Sequence, residues 1–341
     1  TPIEVVKHIG NRYTTPAEPT PELRERCIAA LQAFDNLSVI CLWSGDRLGL
    51  VHVVFASDNL GVMGGPSAEA SLARNMVGYS LLLAGLHTIA ERDMRAAFAM
   101  AHDCNDLVAK TVTNVFLGLS MTLYGRVDEA LPLLRTGWDL SREWGAGLWL
   151  HRADYMLGEA LLVSARYEEA MPYFDSCAEV ARAAEPHTTG FANATSVLCK
   201  LRLGASPAAF VAVLESEASG IPLVRNLRPY LMQLCVALGV AMEIYLRVGR
   251  YKDCYDLADE ELGLVALGDD TYSYFRGSES HTQTALVLSA LLERKMAGQL
   301  DGVDGVPDAA VLRKKLWRAV KDLKRGYKTF PAVEGRYRGC S

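Results

Sequence analysis

Apolar residues recur along this chain at intervals of three and four, the spacing that places them on one face of an α-helix. The stretch 312–327 shows the pattern clearly, with Leu312, Leu316, Val320, Leu323 and Tyr327 in register. Sustained apolar–polar alternation is missing, and no Asn-Gly or Asp-Gly pair separates two β-rich runs. The pattern therefore predicts an all-α protein.

One segment repeats at an offset of 40 residues. Residues 116–142 align without a gap on residues 156–182, and seven of the 27 positions are identical. Self-similarity at such a period is typical of stacked helix hairpins. The identical pairs are Leu117 and Leu157, Gly118 and Gly158, Arg126 and Arg166, Glu129 and Glu169, Ala130 and Ala170, Pro132 and Pro172, and Arg142 and Arg182.

The repeated residues predict where each hairpin turns and where its helices touch. A short Gly-Arg or Ala-Arg turn precedes an acidic pair, and acidic residues favour the start of a helix. Gly118 and Gly158 lie inside helices, where glycine costs about 1 kcal/mol relative to alanine. We therefore expect close helix contact at these glycines and at the small residues Ala130 and Ala170.

Weaker copies extend the repeat in both directions, with turns every 37 to 45 residues. One turn is predicted at Gly45–Asp46 and another near Thr88, with Ala96 and Ala97 as the small residues. Further hairpins are predicted over 201–214 and 247–261, with helix boundaries at 64–67, Asn105, 186–188 and 268–271 and an exposed linker over 297–308.

The expected fold is a right-handed superhelical solenoid of tetratricopeptide-like helix hairpins. Residues 1–21 are predicted to be an irregular N-terminal segment. Residues 22–341 are predicted to form the array, with about seven hairpins and the last one truncated. Because the chain starts at Thr1 and stops within an apparent repeat, we interpret it as a fragment of a longer protein.

The amino-acid composition narrows the class of protein further. Half of the 341 residues are apolar and the net charge is −5, which supports a large core and gives no reason to expect nucleic acid. The longest apolar runs contain His87 and Gln233 and are too short for a membrane span. No pair of the eight cysteines has metal-site spacing, so buried free thiols in the cytoplasm are predicted.

No stretch carries the spacing of a catalytic, cofactor or metal site. The loop at 61–67 is rich in glycine but lacks the lysine of a phosphate-binding loop. The cluster His102, Asp103 and Cys104 has potential ligands, yet adjacent helical residues point in different directions. We therefore predict no catalytic residues, no cofactor and no metal.

Two surfaces are candidates for binding a protein or peptide partner. The first helices of the hairpins are expected to line a concave groove, whose candidate residues are Asn114, Arg152, Tyr155, Asn193 and Arg228. Residues 311–328 form a basic amphipathic helix with eight basic residues and one acid, Asp322. Its basic side is interpreted as a solvated face, a contact for an acidic neighbouring domain, or a site for anionic lipid or nucleic acid. The tryptophans are interpreted as packing between repeats: Trp43, Trp138, Trp144, Trp149 and Trp317.

Three segments resemble the C-terminal repeats of multidomain signalling proteins. They are 38–61 (SVICLWSGDRLGLVHVVFASDNLG), 64–80 (GGPSAEASLARNMVGYS) and 323–339 (LKRGYKTFPAVEGRYRG). The family joins a class III adenylate or guanylate cyclase, or a kinase, to an AAA-type ATPase module and a helical-repeat tail. The resemblance covers most of 38–339, although Ser-Ala-Glu replaces Ser-Pro-Glu at 67–69 and residues 334–337 depart from Pro-Arg-Ala.

What the resemblance implies is a non-catalytic regulatory tail whose partners include the parent's own ATPase or cyclase domains. The catalytic residues of such a parent would precede Thr1, so none is transferred to this chain. An alternative is the inducer-sensing repeat array of a transcription activator of the signal-transducing ATPase type. A third hypothesis is a free-standing enzyme. A cyclase or kinase domain upstream, or a helix-turn-helix domain downstream, would separate the first two.

Overall fold

The computed structural model describes residues 2–11, 18–44, 46–145, 147–184, 186–217, 220–226, 231–267 and 275–329. Every regular element within these ranges is helical. The first eight are α1 (Pro2–Asn11), α2 (Pro21–Ser44), α3 (Arg47–Gly64), α4 (Ala68–Leu83), α5 (His87–Asp103), α6 (Leu107–Leu123), α7 (Val127–Trp144) and α8 (Gly147–Val163). The others are α9 (Tyr167–Ala184), α10 (Pro186–Arg202), a 3-10 turn (Pro207–Phe210), α11 (Val211–Glu215), α12 (Ile221–Asn226), α13 (Leu231–Arg247), α14 (Tyr251–Leu267), α15 (Phe275–Met296) and α16 (Ala309–Thr329).

The chain divides into two compact units. The first comprises residues 1–122 and 126–153, and the second comprises residues 123–125 and 154–341. In each unit the helices follow one another as hairpins, and we call the first helix of a hairpin its A helix and the second its B helix. The A helices are α2, α4, α6, α8, α10, α13 and α15. The helical content confirms the predicted all-α fold class.

One backbone turn joins the A and B helices of four successive hairpins, and it recurs at intervals of 40 residues. In each turn a backbone N–H donates over 2.9 Å to the carbonyl five residues earlier, which closes the end of the A helix. Gly125 and Ala165 adopt left-handed backbone angles, with φ of 76° and 59°. The four donors are Asp46, Leu86, Arg126 and Arg166.

The turn predicted near Thr88 lies a few residues earlier in the structure. Thr88 lies inside α5, and the turn spans residues 84–86, where Gly85 has a φ of 77°. Glycine adopts this backbone without a steric penalty, which explains why the chain reverses there. The fully buried small residue that follows the turn at the equivalent position is Ala90.

Close helix contact explains the repeated glycines. A Cβ atom added to Gly118 would lie 2.6 Å from Cγ of Leu134, and one added to Gly158 would lie 3.0 Å from the ring of Phe174. In each hairpin the B helix thus occupies the space that a side chain would need. The structure thus confirms the close helix contact that was predicted at these glycines. The small residues Ala130 and Ala170 of the B helices are fully buried.

The N-terminal segment is not irregular throughout, because residues 2–11 form helix α1. This helix contacts α3, where the buried His8 places its Nδ1 atom 2.6 Å from Oδ2 of Asp58. The side-chain amide of Asn59 also donates to the carbonyl of Glu4 over 2.9 Å. These contacts join residues about 50 positions apart, so short-range pattern gave no sign of them.

Other predictions are confirmed where the structure describes them. Ser67 lies in the predicted boundary 64–67 and caps α4 by accepting from the backbone N–H of Ala70. The linker 297–308 joins α15 to α16 and is mostly exposed, apart from Leu300 and Val306. Cysteines that are buried and free are Cys27, Cys177, Cys199, Cys235 and Cys254, whereas Cys41 is half-buried and Cys104 is exposed.

Some predicted features lie outside the described residues. They are Gly45, the boundary at 268–271, Arg228, the segment 330–339 and the side chains of Trp43 and Tyr327.

Candidate binding cleft

A cleft of about 350 Å³ opens in the first unit among three A helices. Residues of α2 and α4 form its walls, the first residues of α6 and the preceding Asp106 close one side, and α3 contributes Val54 and Ser57. A cleft of this volume suits a small ligand or a few side chains of a peptide. The apolar residues that line it are Leu31, Phe34, Leu72, Met76, Val108, Val54, Ala68 and Ala73.

Short side chains and a fixed loop keep the two walls in place. Leu31 of α2 packs against Ala70 and Ala73 of α4, so these helices approach closely at the base of the cleft. Two turns before Leu31 on α2, the guanidinium of Arg24 donates to the carbonyl of Pro66 over 2.7 Å. The loop before α4 is therefore tied to α2.

The polar part of the cleft is acidic. Oε1 of Glu69 accepts a hydrogen bond of 3.2 Å from the side-chain amide of Gln32. Oδ1 of Asp106 accepts from the backbone N–H of Ala109 over 2.8 Å and so caps α6. No Lys, Arg or His is among the described residues that line the cleft. A cation would therefore be favoured here over an anion.

Asp35 differs from the other two acids because its carboxylate makes no hydrogen bond or ion pair with any residue that the structure describes. Asp35 is exposed to solvent, and the protein atoms on one side of it partly desolvate its carboxyl. This desolvation raises the pKa of Asp35 above its ordinary value. A positively charged ligand group beside Asp35 would offset this partial desolvation.

The structure places two of the predicted groove residues in the first unit, and neither lines the cleft. Asn114 is buried, and its side-chain amide donates over 2.8 Å to the carbonyl of Lys110 and lies 3.4 Å from Nε2 of His102. It therefore stabilises the packing of α6 on α5. The half-buried Arg152 lies over the ring of Trp149, 5.3 Å from its centre.

Two more predicted groove residues lie in the second unit. Tyr155 packs against Phe191, with 4.4 Å between ring centres, and its hydroxyl donates over 2.6 Å to Oε2 of Glu159. Asn193 is half-buried on α10, two positions after Phe191. The aromatic contact thus brings α8 and α10 together near both residues, while a groove at these residues stays a prediction.

Two buried histidines pair with carboxylates in a way that resembles acid–base sites. His8 pairs with Asp58 in the first unit, and Nδ1 of His281 contacts Oε1 of Glu261 in the second. Oε2 of Glu261 also accepts from the hydroxyl of Thr284 over 2.9 Å. All of these side chains are at least nine-tenths buried, so a substrate has no access and the pairs serve to join helices.

Neither metal-binding clusters nor membrane spans emerge from the described ranges. No three His, Cys, Asp or Glu side chains there come together as ligands of one ion. Among the same residues, no helix combines the length and the apolar character that crossing a bilayer requires.

Comparison with known proteins supports the fold. No protein-family model matches the sequence. No curated protein matches it either. The structure is similar to a crystal structure of a Rap protein complexed with competence and sporulation factor, with a TM-score of 0.56 and 13% sequence identity. The match covers 91% of this chain and 89% of that one. At this identity the likeness establishes the fold alone, which is that of tetratricopeptide-like helix hairpins.

Proposed function

We propose that this chain is a non-catalytic binding scaffold that takes a short peptide segment in the cleft of its first unit. The proposal rests on the Asp35 carboxylate, which has no partner among the described residues and lies beside the apolar residues of the cleft. A peptide with a basic residue next to an apolar one matches both features. The similar Rap protein, which was solved in complex with competence and sporulation factor, supports a fold of this kind as a binding scaffold.

Charge and shape together define the ligand. A Lys or Arg side chain near Asp35 would replace lost hydration with an ion pair in partly desolvated surroundings, where such pairs are stronger than in water. The neighbouring side chain would pack on Leu72 and Met76, which line the same cleft. An acidic peptide would meet Glu69 and Asp106 and be repelled.

Selection from a random peptide library displayed on phage tests the proposal. We expect enriched peptides to contain a basic residue beside an apolar one. In calorimetry, Asp35→Asn should weaken their binding about tenfold, which corresponds to one good ion pair of about 1.4 kcal/mol. Ala68→Trp should also weaken binding, because Ala68 lines the cleft and an indole there would fill part of it.

Asp103→Asn is the matched control. Asp103 is an exposed acid of the same unit, and it does not line the cleft. Its removal should leave the affinity unchanged. Peptides that bind Ala68→Trp and Asp35→Asn as well as the unmodified chain would place the site elsewhere and contradict the proposal.

We also propose that the chain is cytoplasmic and is the regulatory tail of a cyclase or kinase parent. The support is the resemblance of residues 38–61 and 64–80 to the repeats of that family. The inducer-sensing array of a transcription activator is the second proposal. Sequencing the flanking coding region decides between them, since a helix-turn-helix domain downstream would contradict the first. Nucleotide cyclisation or ATP hydrolysis by this chain itself would contradict a non-catalytic role.

A further inference from the structure

Helix α16 has two faces of opposite character. Leu312, Ala319 and Leu323 are buried against the preceding helices of the second unit. The opposite face carries an exposed tryptophan among exposed basic side chains. At 100° per residue these positions fall within about one third of the helix circumference. We call this surface the α16 basic face, and it consists of Arg313, Lys314, Trp317, Lys321 and Lys324.

The cations of the α16 basic face make no ion pair with the described residues, unlike others of this protein. Arg126, for example, bonds Glu91 at 2.9 Å and Glu129 at 2.6 Å. On α16 itself, Lys315 lies outside the basic face and pairs with Asp259. Within the described part of the chain, an acidic partner thus neutralises Lys315 beside the basic face but none of the cations on it.

Trp317 is the second unusual feature, because the residue is 71% exposed. The sequence predicts that Trp317 packs between repeats, but it lies on the exposed side of α16. Tryptophan is the residue type most enriched among side chains that dominate the energy of interfaces. An exposed indole among four cations that pair with none of the described residues therefore indicates a binding surface.

We propose that the α16 basic face docks an acidic segment of a protein partner, with an apolar side chain packed on Trp317. Residues 313 to 324 span about 16 Å along the helix. That length matches about five residues of extended chain. Carboxylates on either side of one apolar residue would meet the lysines while the apolar residue covers the indole.

A short acidic segment fits better than an extended polyanion. A long polyanion would extend beyond the α16 basic face over a protein whose net charge is −5, whereas a short acidic segment stays within the face. The apolar face of α16 is already buried in the protein, so the helix has only Trp317 to insert into a bilayer. This proposal does not depend on the cleft, which favours ligands of the opposite charge.

Fluorescence anisotropy with labelled probes tests the proposal on the full chain. The probes are a decapeptide of Glu and Leu, the same peptide with Lys for Glu, a short single-stranded DNA, and vesicles of phosphatidylcholine with phosphatidylserine. We expect the acidic peptide to bind with an affinity that falls as salt rises. Replacing both Lys314→Glu and Lys321→Glu should weaken binding at least tenfold, and Trp317→Ala should weaken it about tenfold.

Arg26→Glu is the matched control, since Arg26 is another exposed basic residue without a partner among the described residues. It should leave binding of the acidic peptide unchanged. No binding at about 1 mM peptide, or equal loss with Arg26→Glu, would overturn the proposal. Tighter binding of the DNA or the vesicles, weakened by the same two lysine substitutions, would overturn it in favour of a polyanion.

Discussion

Three glycine-to-alanine substitutions test the packing of the hairpins, because the same chemical change should have a different effect at each site. Gly263 lies in α14 with no atom within 4 Å of an added Cβ. Gly158 would bring its Cβ to 3.0 Å from the ring of Phe174. Gly118 would bring its Cβ to 2.6 Å from Cγ of Leu134, an atom near the backbone of a fully buried side chain.

The magnitudes follow from two opposing contributions. Alanine stabilises a helix by about 1 kcal/mol relative to glycine, so Gly263→Ala should gain about that amount. Overpacking a buried site costs about 1–3 kcal/mol. At Gly118 the buried Leu134 must move, and we expect a net loss of about 1 kcal/mol. At Gly158 the Phe174 ring needs to shift by only a few tenths of an ångström, so the net change should be close to zero.

Urea unfolding followed by circular dichroism measures the series. Gly158 and Gly263 belong to the second unit and can be compared within one transition, whereas Gly118 belongs to the first unit. Each unit therefore needs its own midpoint and slope. A gain of stability at Gly118 equal to that at Gly263 would refute the assigned contact between α6 and α7.

Three other predictions concern a substitution, a thiol-labelling experiment and a pH series. Ala165→Gly should raise stability by about 0.5 kcal/mol in a urea melt, because Ala165 has a left-handed φ of 59°; a loss would contradict this. In the native chain iodoacetamide should label the exposed Cys104 but not Cys254, since burial raises the pKa of Cys254 to about 12. Peptide mapping that finds Cys254 labelled first would contradict this expectation. Affinity for a basic peptide in the cleft should fall as pH drops through the raised pKa of Asp35, because the carboxyl then loses its charge. Calorimetry on Asp35→Asn should show a smaller fall, since only the carboxylates of Glu69 and Asp106 remain in the cleft, and an equal fall would contradict this.

The repeated hairpins could be predicted from sequence because their causes are local. A turn residue, a glycine and an alanine recur at fixed spacing, and each acts within its own hairpin, as Gly118 does on Leu134. Helix α1 could not be found in this way. Its stability depends on Asp58 and Asn59, and only the folded chain brings them to residues 4–8.

The cleft could not be predicted from the sequence, for a related reason. Helical spacing identifies the face of an A helix that is apolar, but not the point where neighbouring A helices separate. Asn114 illustrates the difference, because a polar residue on an A helix was expected in a groove and is instead buried beside His102. Asp35 carried no signal of its own, since only its surroundings in three dimensions raise its pKa.

A crystal structure of the chain with a peptide selected from the phage library is the most direct test of the proposed function. We predict a Lys or Arg nitrogen of the peptide within about 4 Å of the Asp35 carboxylate. The next apolar side chain should contact Leu72 or Met76. A peptide bound on any other surface, with the cleft empty, would contradict the account.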